Sequence, residues 1–223
     1  MNFRTPKHRL HQRRTPSVLR WSRHLFFAVG ILALGSAGYA LVDARVYQAY
    51  ETWRFERALK SVTPAASSVE PFHPSPLPAP PESDRASVES AVPKGSSLGQ
   101  IEISSIGLTA MIEEGDNGRT LRRAVGHIPG TALPGQHGNI VLAGHRDTFF
   151  RPLRNIHKGD EITLTTLDGS YRYRVDFTEV VAPQDTEVLN ASAGSTLTLV
   201  TCSPFYFVGP APKRFIVRAS RMP

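Results

Sequence analysis

Cysteine is almost missing from this chain of 223 residues. There is one, Cys202, so no disulfide can form within the chain. Metal-binding patterns are missing as well: no paired cysteines and no His-Glu-x-x-His. The acidic group Glu113, Glu114 and Asp116 reads as a solvated turn, so neither a metal nor any other cofactor is expected. Acid is missing from residues 1–24, which carry Arg4, Lys7, Arg9, Arg13, Arg14, Arg20 and Arg23. That tail accounts for the net charge of +7. The remainder is close to neutral and lacks a basic face, which argues against nucleic acid as a partner. Charge of either sign is missing from Leu25 to Val42.

What is present begins with that uncharged run. As a helix it spans roughly 27 Å, against a hydrocarbon core of about 30 Å. Trp21 before it and Tyr47, Tyr50 and Trp53 after it suit the two interfaces. A cleaved signal peptide is the competing reading. Against it stand the long basic region, the lack of a clean Ala-x-Ala site and the polar helix-forming sequence that follows. Arg13-Arg14 lies too far before the apolar run to read as a twin-arginine address. We therefore expect a single-pass anchor in the cell membrane, its basic N-terminus cytoplasmic and everything beyond Val42 extracytoplasmic.

Five segments are expected: a basic cytoplasmic tail (1–24), a transmembrane helix (25–42), a juxtamembrane helix (43–60), a disordered Pro/Ser/Ala-rich tether (61–97) and a catalytic β-domain (98–223). In residues 43–60 apolar groups at Val46, Tyr47, Tyr50, Trp53, Ala58 and Leu59 alternate with charges, and this reads as a solvated helical stalk. The tether holds eight of the chain's 18 prolines. Such a stretch buries too little apolar surface to fold alone, and proline keeps it extended.

From Leu98 the signals are β. Ile101 and Ile103 alternate with Glu102, and Ile162 and Leu164 alternate with Thr163 and Thr165. Tyr171, Tyr173, Val175 and Phe177 share one predicted face, opposite Arg172, Arg174 and Asp176. Asp168-Gly169 suits a hairpin turn. Gly126 to Gly138 reads as loop, and short helices are expected over Thr120–Ala124 and Phe149–Ile156. About eight short strands with few helices predict a closed or nearly closed β-barrel.

Three stretches carry candidate chemistry. Thr198-Leu199-Val200-Thr201-Cys202 is a strand ending on the thiol. Asn139-Ile140-Val141-Leu142-Ala143-Gly144-His145 is a strand running into an imidazole. Lys213-Arg214-Phe215-Ile216-Val217-Arg218 is a strand opening on a guanidinium. Alternation puts Cys202 with Val200 and Thr198, opposite Leu199 and Leu197, and puts Arg214 with Ile216 and Arg218. A thiol of ordinary pKa about 8.5 needs an imidazole to become an effective nucleophile, and a fixed cation can stabilise an oxyanion. On composition alone Cys202 would read as an inert core residue.

The Thr-Leu-Val-Thr-Cys stretch, followed by Ser-Pro-Phe, resembles the signature of the sortase family. Gly126-His127-Ile128-Pro129-Gly130 and Ala143-Gly144-His145-Arg146-Asp147 are similar to sortases as well, most of all to class D. Ser203 stands where class D members often carry an aromatic residue. The resemblance covers Leu98 to the C-terminus. It implies a sortase-type β-barrel and a cysteine transpeptidase with Cys202, His145 and Arg214 as catalytic residues. It further implies substrate contacts at Thr201 and Val200, and supporting roles for His127 and Asp147. The implied partners are secreted proteins bearing a Leu-Pro-x-Thr-Gly or Leu-Pro-x-Thr-Ala sorting motif, and an amine acceptor of cell-wall or pilin type. A peptidase using water and a non-catalytic binding barrel are the alternatives. An L,D-transpeptidase is disfavoured because its Ser-His-Gly-Cys pattern is missing.

Overall fold

A computed structural model describes residues 17–62, 92–206 and 209–223. The first 16 residues of the basic tail and most of the Pro-rich stretch lie outside the described residues. The chain divides into two compact units, Met1–Val42 and Asp43–Pro223. Helix α1, Ser17–Val62, contributes to both. In the first unit its large apolar side chains, among them Phe26, Leu32 and Leu34, are exposed. By length and composition this helix is apolar enough to cross a membrane.

The second unit is an eight-stranded barrel. Its strands are β1 (Ser97–Ile103), β2 (Leu108–Glu114), β3 (Val125–His127), β4 (Asn139–Ala143), β5 (Glu161–Thr165), β6 (Ser170–Val181), β7 (Thr196–Ser203) and β8 (Lys213–Arg221). They close in the order β1-β2-β3-β4-β7-β8-β6-β5. Two contacts are parallel, β2 with β3 and β4 with β7, and the rest are antiparallel. Closure leaves no sheet edge unpaired, which suits a barrel of short strands.

One face of each strand fills the interior. Ile101, Ile103, Ile112, Ile140, Leu142, Ile162, Leu164, Tyr173, Leu197, Leu199 and Val217 are all part of one buried cluster. Alternation along β6 holds through Tyr173 and Val175 and then fails. The register with β8 shifts between Val175 and Phe177, and Phe177 ends half-exposed. A bulge sets two residues against one, which turns the next side chain off the inner face.

Three other expectations shift in detail. The first residues of the expected loop over Gly126–Gly138 belong to β3, where a Cβ on Gly126 would collide with the Gly115 carbonyl. Helix α2 occupies Gly118–Arg123, and Asn117 Oδ1 caps it by accepting from the amides of Arg119 (2.9 Å) and Thr120 (3.2 Å). The short helix expected over Phe149–Ile156 is a 3-10 helix, Arg151–Asn155.

The largest departure is residues 43–62, which are not a solvated stalk. Phe55 and Glu51 are buried, and Asp43 accepts two bonds from Arg123, at 2.8 and 3.0 Å. The Gln48 amide donates to the Arg123 carbonyl at 2.6 Å, and its oxygen accepts from the Met111 amide at 2.9 Å. Pairing of β2 with β3 begins only at Ile112 and Val125. Gln48 thus serves the backbone groups just before the two strands join, as a peptide of a further strand would. The helical period of this segment placed charges among the apolar residues, and that masked the face that packs.

Candidate active site

Strand register brings the three candidate residues together. β4 runs parallel to β7, with Ala143 opposite Val200, and the Gly144 amide donates to the Val200 carbonyl at 3.2 Å. Two residues beyond Ala143 and Val200 lie His145 and Cys202. On the other side of β7, Cys202 is the direct antiparallel partner of Arg214. Directly opposed residues in such a pair have Cα atoms roughly 4.5–5.5 Å apart and side chains on one face. Leu197, Leu199 and Thr201 point into the barrel, so Cys202 points out of it. His145 follows two residues after the end of β4, in the turn beside that end of β7. Cys202 is thus paired with Arg214 of β8 and near the turn that carries His145, and all three are half-buried.

Local packing explains why the chain puts them there. A Cβ on Gly144 would stand 2.8 Å from the Phe150 ring, so glycine lets that ring pack against the strand just before His145. The His145 carbonyl accepts from the amides of Thr148 (3.3 Å) and Phe150 (3.1 Å), which turns the chain away after the imidazole. Arg214 Nη1 donates to the carbonyls of Lys213 (3.1 Å) and Ala211 (3.5 Å), holding the guanidinium at the start of β8. The segment that leaves β7 crosses a cis Ser203–Pro204 bond, and Phe205 meets Phe215 edge-on at 5.3 Å.

The remaining candidates separate. Thr201 is buried and its hydroxyl donates to the Gly144 carbonyl at 2.7 Å, so it lies beneath the site rather than on its surface. Val200 is half-buried on the outer face, paired with Ala143 on one side and with the buried Ile216 on the other. Asp147 is exposed in the turn after β4. His127 pairs with Leu142 in register and shares its inner face, turned away from Cys202. It is buried, with Nδ1 hydrogen-bonded to Glu114 at 2.6 Å and Nε2 close to the Ala132 carbonyl (2.9 Å) and the Thr131 hydroxyl (3.0 Å). These bonds hold its ring in place at one end of the barrel. Glu114 therefore belongs to this buried pair and not to a solvated turn.

A sequence model of the sortase domain matches residues 101–222, more than half of the chain. The protein belongs to the sortase family. Sortase D of Bacillus subtilis is 31% identical over 196 residues, which is 87% of this chain and 94% of that protein. A Clostridium perfringens Sortase D5 transpeptidase has a similar structure, with TM-score 0.55, 28% identity, and coverage of 76% of this chain and 98% of its own. Sortase C of Clostridium perfringens SM101 is also similar, with TM-score 0.53 and 32% identity over 59% of this chain and 73% of that one. Sortases are cysteine transpeptidases, and their barrel is the one seen here.

Two features were not legible beforehand. Arg146 donates to the carbonyls of Pro204 (2.9 Å) and Gly209 (2.9 Å), linking the turn after His145 to the segment after Cys202. A cavity of about 810 Å³ lies between residues 47–58 and the barrel, lined by Glu51, Phe55, Leu98, Pro134, Leu167 and Tyr171 among others. It includes none of the three candidate catalytic residues. The half-buried thiol lies instead on the outer wall of the barrel.

Proposed function

We propose that this sortase is a membrane-anchored transpeptidase that cleaves a Leu-Pro-x-Thr-Gly or Leu-Pro-x-Thr-Ala type motif in secreted proteins. The observation that carries the reading is the direct pairing of Cys202 with Arg214 and the parallel pairing of β4 with β7, which ends two residues short of His145 and Cys202. The Cys202 sulfur attacks the threonine carbonyl, and the C–N bond after threonine breaks as the C–S bond of a thioester forms. His145 takes part in thiolate formation and hands its proton to the departing amine. An amine of cell-wall or pilin type then attacks the thioester, gives up a proton and returns the thiol. Arg214 keeps its charge at any working pH and supports the carbonyl oxygen while it carries negative charge in both steps. The half-buried apolar surface at Val200 and Ala143 suits the leucine and proline of such a motif. The exposed apolar part of α1 supports a single-pass anchor, and the acid-free basic residues before it support an N-in orientation with the barrel outside.

The test is mass spectrometry of the full chain in detergent, incubated with sorting-motif peptides with and without a small amine. A peptide-sized adduct on Cys202, and ligated product when amine is added, is the expected result. Adduct followed only by hydrolysis would make the protein a peptidase. No adduct with any such peptide would leave the reading without its chemistry.

A further inference from the structure

The residues flanking the nucleophile and the imidazole are tied to each other twice. Beneath the site, Thr201 joins the residue before Cys202 to the residue before His145. Beyond it, Arg146 joins the residue after His145 to the chain after Cys202. Its two terminal nitrogens each donate at 2.9 Å, one to the Pro204 carbonyl and one to the Gly209 carbonyl. These carbonyls lie in the connection that carries the chain from β7 to β8, and so from Cys202 to Arg214. Two further contacts hold the same connection: Phe205 against Phe215, and Arg154 over the Tyr206 ring at 5.5 Å. Those fix single side chains. Only the Arg146 contacts, among these, grip the backbone at two places.

We propose that Arg146 is a positioning residue for the acyl donor: its fork fixes the backbone on both sides of the β7–β8 connection, and so sets the wall against which the peptide lies beside Cys202. The inference rests on the transpeptidase reading for its substrate, though not for its geometry. A planar guanidinium can serve two carbonyls at once, and bonds from a charged donor are stronger than neutral ones. An ammonium or a carboxamide in its place lacks that fixed fork. Without the fork the wall must be ordered by the peptide itself, and binding pays that ordering cost. The thiol is affected less, because its place is set by β-pairing with Arg214 and by the Thr201–Gly144 bond.

Full-length Arg146→Ala and Arg146→Lys are compared with wild type in detergent, by peptide acylation kinetics and by alkylation of Cys202 with iodoacetamide and with a bulky maleimide. The expected result for Arg146→Ala is a KM raised about 10-fold, kcat changed less than about 3-fold, iodoacetamide rate unchanged, and a larger maleimide-to-iodoacetamide ratio. Arg146→Lys should fall between it and wild type, and it serves as the test if Arg146→Ala does not fold. An unchanged KM together with an unchanged alkylation ratio would overturn the proposal. So would an equal fall in kcat and in both alkylation rates, since that is the mark of general destabilisation. If no peptide acylates wild type, the transpeptidase reading fails by itself, and the alkylation ratio still decides whether Arg146 shapes the wall.

Discussion

At the scale of single residues, register divides the labour. Cys202→Ala should abolish the adduct, because no other thiol exists in the chain. His145→Ala should lose both acylation and amine transfer. Arg214→Lys keeps the charge and loses the planar donor pair, so acylation should persist about 10²–10³-fold slower, the usual cost of a missing oxyanion donor. All three are read by mass-resolved adduct formation. His127→Ala is the contrasting case. It leaves the buried Glu114 side chain without its hydrogen-bond partner, a loss of about 1–3 kcal/mol for an unsatisfied buried group. The expected signature is a melting temperature lowered by several degrees, with adduct formation per folded molecule close to wild type. An inactive but folded His127→Ala beside an active His145→Ala would reverse the assignment.

At the scale of elements, the seam between α1 and the barrel contains a second acid under strain of burial. Glu113 is buried where Tyr47 of the helix meets β2, and one of its oxygens has no hydrogen-bond partner. Burial pushes its carboxyl above the ordinary range. Nearby Glu51 pushes the same way, while the Tyr47 hydrogen bond, Arg123 and Arg119 act against it. An acid whose pKa is raised on folding binds more protons folded than unfolded. Stability is then undiminished below the ordinary carboxyl pKa and is lost as pH rises through the raised one. Glu113→Gln should therefore raise the melting temperature at neutral pH, with the gain vanishing near pH 4. A gain that persists unchanged in acid would contradict this. The seam also shows what the sequence could and could not disclose. Period-two patterning gave most of the barrel's inner face and the side of β7 and β8 on which Cys202 and Arg214 lie. It could not give strand order, because the parallel neighbours β4 and β7 are separated by β5 and β6. It missed the bulge at Phe177, a one-residue insertion that leaves no compositional trace. It also missed the packed face of residues 43–62, whose contacts run through Gln48, Asp43 and Glu51, polar residues that read as solvated until their partners are known.

At the scale of the whole molecule, those contacts change what a truncated protein will do. A chain beginning at Val92 loses Phe55, worth about 1.5–3 kcal/mol when buried, and the two Gln48 bonds, worth about 0.5–1.5 kcal/mol each. We expect a chain beginning at Asp43 to be soluble and to melt well above one beginning at Val92, as a thermal scan of the two would show. Equal melting temperatures would mean that the helix adds nothing. By the same reasoning, a single protease cut between residues 63 and 91 should leave the two fragments together on a size-exclusion column in detergent. Ala58 and Val92 line one cavity, so the chain leaves this region and comes back to it. The stretch 63–91 thus joins two ends that the described residues hold near each other. Its contour length does not set how far the barrel can travel, and doubling it costs only about 0.6 kcal/mol of ring-closure entropy. Reporter domains or epitopes spliced into it should ride along without displacing either end.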